Sequence, residues 1–132
     1  MSAFTRIASW LRENARASET PAWLRCTLEH DAHGIRLIAR DRFAEGAGAL
    51  SWFEVDRVVA FNADMLVHDL VCLQFESRAR SLVANEEMAG FHELARALPA
   101  RLDGAAPFES WWEELVRPLA SATRVIFERA PR

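Results

Sequence analysis

Residues 61–75 read FNADMLVHDLVCLQF, and this stretch decides the fold. Asp64, His68, Asp69 and Cys72 crowd into it, while Cys26, His30 and His33 form a second polar set upstream. Either these are halves of a metal or catalytic site, or the stretch is a β-hairpin that carries polar residues. The alternation favours the hairpin. In DLVCLQFES, Val71, Leu73 and Phe75 fall on one face of a strand, with Leu70, Cys72, Gln74 and Glu76 on the other. His68 and Asp69 are adjacent and point to opposite faces. His68 and Cys72 share a face, but four residues of strand span about 13 Å, too far for one proton-transfer pair. The set is dense in sequence and scattered in space.

Working outward, a strand through Phe61 precedes this one, with ADMLVH as the link. It grows out of LSWFEV, a short strand with a helical turn near residues 51–55. Upstream, WLRCTLEH sets Leu24, Cys26 and Leu28 against Arg25, Thr27 and Glu29. DAHG is a turn, and IRLIAR returns with Ile35, Leu37 and Ala39 inside, making another hairpin. DRFAEGAGA is a loop. Downstream, RAR turns into the short strand SLVA. Asn85 has N-cap chemistry, and Glu86 and Glu87 place negative charge in the first turn of a helix, where its dipole favours it. That helix buries Met88, Phe91, Leu94, Ala95 and Leu98, and Pro99 stops it.

Pro107 suits a first helical position, and Phe108, Trp111, Trp112 and Leu115 recur at helical spacing before Pro118. TRVIFER is the last strand, at an edge or closing the sheet. At the start, Phe4, Ile7, Ala8, Leu11 and Ala15 predict an amphipathic helix within residues 1–19, ended by Thr20-Pro21 and peripheral to the rest. Strands clustered together with helices at the ends imply an α+β fold. The expectation is an antiparallel sheet or partial barrel of about six to seven strands, with the N-terminal helix and two helices in the C-terminal half. Residues 1–132 fit one domain.

Composition narrows the function. Hydrophobic residues make up 51% and charged ones 27%, which suits a packed globular chain and not a disordered one. The net charge is −3, and the 16 basic residues, all Arg, form no block or stripe, which argues against nucleic-acid binding. The absence of Lys and Tyr beside abundant Arg and Ala points to a GC-rich bacterial genome. Two cysteines in unlike contexts make no disulfide framework, so the reducing cytoplasm is the expected compartment. No apolar run approaches the ~20 residues of a transmembrane segment.

The candidate sites weaken on the strand reading. Cys26 shares a face with Leu24 and Leu28 and reads as a small buried hydrophobe. His30 and His33 bracket a turn, where they are solvated. Zinc needs three or four ligands converging at about 2.0–2.3 Å, and no local motif gathers them. No serine lies in a G-x-S-x-G turn, and Gly46 and Gly48 form no phosphate loop. Glu54 and Asp56 make a carboxylate pair that leads into a strand. Five tryptophans in 132 residues is a high share. Trp111 and Trp112 read as core, and Trp52, beside the glycine-bearing loop, is the aromatic expected to be partly exposed.

The chain from about residue 24 onward resembles a group of small bacterial proteins without an assigned activity. The resemblance lies in a Trp-x-x-Val strand entry, a VAFxxD end, a DLxCLxF strand, an EExxGFxxL helix and a Trp-bearing segment before a final strand. These fall on Trp52, Val55, Asp64, Asp69, Cys72, Glu86, Glu87, Gly90, Phe91 and Trp112. Such a β-rich domain is similar to pleckstrin-homology-like domains and to toxin-immunity proteins. The likeness implies a fold and no particular chemistry.

Taken together, the residues describe a non-catalytic protein–protein interaction domain, immunity-like or an adaptor, without a cofactor. Its binding surface comprises Trp52, Glu54, Asp56, Asp64 and Asp69, and an exposed Trp ringed by acids suits a basic protein partner. The rival reading is a small-molecule or metal-binding protein, a hydrolase among them, whose pocket collects His30, His33, His68 and Cys72. The oligomeric state is open.

Overall fold

The hairpin is the centre of the molecule. β4 (Arg57–Met65) pairs antiparallel with β5 (His68–Glu76), in a register that sets Phe61 opposite Cys72, Asp64 opposite Asp69 and Met65 opposite His68. β4 therefore runs past Phe61, and most of the expected ADMLVH link is paired strand. Tertiary contacts explain the extension. Ala63 is buried, and the Asn62 side-chain amide donates to the Leu115 carbonyl at 2.7 Å, so residues that look like a connection are fixed from both sides.

The computed structural model describes residues 26–39, 48–65, 68–117 and 122–131. The helix expected within residues 1–19, the loop over residues 41–47, Leu24 and Pro118 lie outside the described residues, as do the side chains of Ala39, Asp64 and His68. Two antiparallel sheets form. The first holds β1 (Cys26–His30), β2 (Gly34–Ala39) and β3 (Gly48–Ser51) in that order. The second has the order β6-β5-β4-β7, with β6 spanning Ser81–Asn85 and β7 spanning Thr123–Glu128. Two helices, α1 (Phe91–Arg101) and α2 (Trp112–Val116), lie between β6 and β7 in sequence. The fold is α+β, built from two sheets and not a closed barrel. No helix among the described residues is long and apolar enough to cross a membrane.

The two inner faces make one core. Cys26, Leu28, Ile35, Leu37 and Leu50 of the first sheet join Val58, Ala60, Leu73, Phe75, Leu82 and Ala84 of the second. Trp52 closes the gap between them, its ring 6.4 Å from that of Phe75. From Leu70 to Phe75 every side chain is 1% exposed or less, so β5 is covered on both faces. A strand covered on both faces reads as a nearly continuous apolar run, and DLVCLQF is one. Among the described residues β7 pairs only with β4 in the sheet, as an edge strand, and a bulge between Val58 and Val59 shifts its register.

Both helices depart from the sequence expectation at their ends. Asn85 is the last residue of β6, and its side-chain oxygen accepts from the Glu87 N–H at 3.0 Å in a turn. Glu86 continues the strand pairing: its N–H donates to the Val71 carbonyl and its carboxylate accepts from the Val71 N–H, both at 2.9 Å. The helix starts only at Phe91, after Gly90. Pro99 does not stop it. The proline removes one backbone donor near the end, two further residues follow, and the Leu102 N–H closes on Leu98 at 2.8 Å. The single helix expected after Pro107 is broken into a 3₁₀ turn (Phe108–Ser110) and α2, with Trp111 between them at φ −133°. That break lets Phe108, Trp111 and Leu115 all bury while Trp112 remains half-buried against Phe108.

Candidate functional site

Between β3 and β4 the chain makes a 3₁₀ turn, Trp52–Glu54, that is held from several directions. Ser51 and Glu54 form a capping box. The Ser51 hydroxyl accepts from the Glu54 N–H at 3.2 Å, and the Glu54 carboxylate accepts from the Ser51 N–H at 3.2 Å. The N–H of Ser51 holds the Glu54 carboxyl below its ordinary range, helped by the Arg80 guanidinium at 3.2 Å. From the other side Arg129 donates to the Val55 carbonyl at 3.1 Å and to the Trp52 carbonyl at 2.9 Å. Trp52 points inward, 6% exposed, and its indole N–H donates to the Asp31 carbonyl at 2.8 Å. Asp31 in turn staples its own turn, accepting from the N–H groups of His33 and Gly34, which lower its carboxyl, and from Arg36.

A turn so held must send one of its two aromatics outward. Phe53 is 73% exposed, far more than any other large apolar side chain among the described residues. Open grooves lie on both sides of it. One, of about 530 Å³, is lined by Phe53, Glu54, Asp56, Arg78, Arg129 and Pro131 among others. The second, of about 590 Å³, takes in Phe53, Arg101, Asp103, Phe127, Glu128 and Arg129. The Arg129 guanidinium sits 5.5 Å from the Phe127 ring and 3.9 Å from Asp56.

The structure does not bring the expected binding residues together. Trp52 is buried core and not the exposed aromatic; Phe53 takes that place. Glu54 and Asp56 line a groove with Phe53, whereas the backbones of Asp64 and Asp69 pair at the far end of the β4–β5 hairpin. Asp56 and Asp64 are eight positions apart along extended chain, about 27 Å, so the four acids are not one ring. The charges around Phe53 are balanced in sign. Each groove carries two acids and two arginines: Glu54 and Asp56 with Arg78 and Arg129 in the first, Asp103 and Glu128 with Arg101 and Arg129 in the second.

The alternative set is likewise divided. His33 is exposed on the β1–β2 turn, while His30 is half-buried with its Nδ1 shut off from solvent, against the expectation that both are solvated. Cys72 is completely buried in mid-β5, and burial pushes its thiol far up from the ordinary range. Cys26 is also buried, in keeping with its apolar face. Among the described residues no three His, Cys, Asp or Glu side chains gather as metal ligands would.

Sequence reasoning passed over Phe53, Arg129 and Asp31. A signal for the first existed: Ser51-Trp52-Phe53-Glu54 is S-x-x-E, the capping-box pattern, and it fixes a turn on which adjacent aromatics diverge. Arg129 and Asp31 act across 77 and 21 residues of sequence, which no local pattern reports. In comparisons with protein-family models, curated proteins and solved structures, nothing matches this chain.

Proposed function

We propose that the chain is a non-catalytic protein-interaction module that engages its partner through Phe53 and the two grooves beside it. One observation carries the reading: a large aromatic side chain, 73% exposed, stands on a turn immobilised by a capping box and by Arg129. An aromatic on a rigid mount loses little entropy on docking, and aromatic anchors of this kind dominate binding energy at interfaces. The flanking grooves are open clefts with mixed charge, which suits recognition of a surface better than turnover of a small molecule.

The test compares the wild type with Phe53→Ser, each coupled to resin and exposed to bacterial lysate. The exposed position predicts that the substitution moves the melting temperature by no more than about 2 °C. Wild type retains a protein that Phe53→Ser releases. Equal retention by both rejects the surface.

A further inference from the structure

We infer that the occupant of the Phe53 surface is a second copy of this chain, docked face to face about a two-fold axis. The inference rests on the interaction reading above and names its partner. The first support is the charge balance of the grooves. With two acids and two arginines in each, a strongly acidic or strongly basic partner meets as much repulsion as attraction. A surface of the same balanced composition meets none of that bias.

The second support is where the unspent charges lie. Glu54 is engaged by Arg80, and Asp56 lies near Arg129. Arg78 in one groove and Asp103 in the other are exposed, and neither makes an ion pair among the described residues. They are opposite in sign and sit on opposite sides of Phe53. In an isologous interface, a residue on one side of the axis meets the partner's residue from the other side. An axis along the ridge that carries Phe53 therefore sets each Phe53 ring against its own copy. It also sets Arg78 of each chain against Asp103 of the other, twice per dimer.

Sedimentation velocity of the full chain between about 1 and 200 µM tests this directly. The wild type passes from monomer to dimer across that range, and Phe53→Ser weakens association at least tenfold, about 1.4 kcal/mol. Arg78→Asp places two acids in apposition and Asp103→Arg two arginines, so each variant alone stays monomeric. Mixed in equal amounts, the two single variants form a heterodimer, because each interface then pairs an acid with an arginine. The mixing result also guards against misfolding, since unfolded chains do not rescue one another. A wild type that stays monomeric throughout, or a dimer indifferent to all three substitutions, overturns the inference. If a monomeric wild type still retains a different protein through Phe53, the dimer fails and the interaction surface stands; if it retains none, both fail.

Discussion

The backbone N–H of Leu28 donates to the carbonyl of Ala89 at 2.8 Å, tying the outer edge of β1 to the segment that follows β6. This contact, with a parallel bridge between Thr27 and Ala89, joins the two sheets by backbone. The next residue, Gly90, turns into α1 with φ 89°, and a β-carbon there would lie 2.3 Å from the Leu28 carbonyl oxygen. Gly104 has the same φ and open space around it. Gly90→Ala therefore costs about 3 kcal/mol, conformational strain plus a clash with backbone, while Gly104→Ala costs only about 1 kcal/mol of strain. Urea titrations of the two variants measure the difference. Equal losses would mean that the sheets do not meet closely at Leu28.

Arg129 is the clamp on the Phe53 turn. Arg129→Ala leaves the Trp52 and Val55 carbonyls without their donor and lowers stability by about 2 kcal/mol. Arg129→Lys recovers little of it, because an ammonium lacks the planar fork that reaches two carbonyls at once. Thermal melts of the three proteins check the order. A lysine variant as stable as wild type would show that charge beside Asp56, and not the fork, is what matters.

Acid should loosen the two turns that position Trp52 and Phe53. Glu54 is held below its ordinary 4.5 and Asp31 below its ordinary 3.8, in each case first by backbone N–H donors. A depressed carboxyl pKa means that the unfolded chain binds protons more readily, so the stabilisation is complete above the ordinary value and is lost as pH falls through the folded one. The urea midpoint should therefore hold steady from neutrality to about pH 5 and drop below it. The double variant Glu54→Gln/Asp31→Asn should show a flatter decline. An unchanged slope would mean that these hydrogen bonds do not persist in solution.

The thiols give an independent reading of the core. Cys72 is completely buried with its ionisation pushed up, and Cys26 is 3% exposed. Reactivity requires a thiolate with access to reagent, so a disulfide-exchange reagent at neutral pH should label neither until the chain opens. Both should react at once in concentrated urea. Fast labelling of the native chain would contradict the packing of β1 and β5.

Much of this architecture was legible because β-strands alternate and hairpins announce their turns. The faces of β5, the inward placing of Ile35 and Leu37 in β2 and the turn after Ser51 all follow from local pattern. The failures have physical causes. Asn85 and Glu86 carry helix-start chemistry, yet the Val71 backbone captures the Glu86 carboxylate across the sheet, and the helix waits for Gly90. Asp64 is close to Asp56 in sequence, but the extended strand puts it at the other end of β4. Trp52 seemed the exposed aromatic because its partner, the Asp31 carbonyl, belongs to a turn 21 residues away. Tertiary hydrogen bonds decided the cases of Glu86 and Trp52, and they leave no trace in a local window.

Site-specific photocrosslinking tests the proposed contact role of Phe53 most directly. A photoreactive phenylalanine analogue is placed at position 53 in the intact chain, and for comparison at Glu29, an exposed position on the outer face of β1. Irradiation in living bacteria should trap the position 53 protein in a discrete adduct, at twice the chain mass where the partner is its own copy, with nothing comparable at position 29. No adduct at position 53, or the same adducts from both positions, would contradict it.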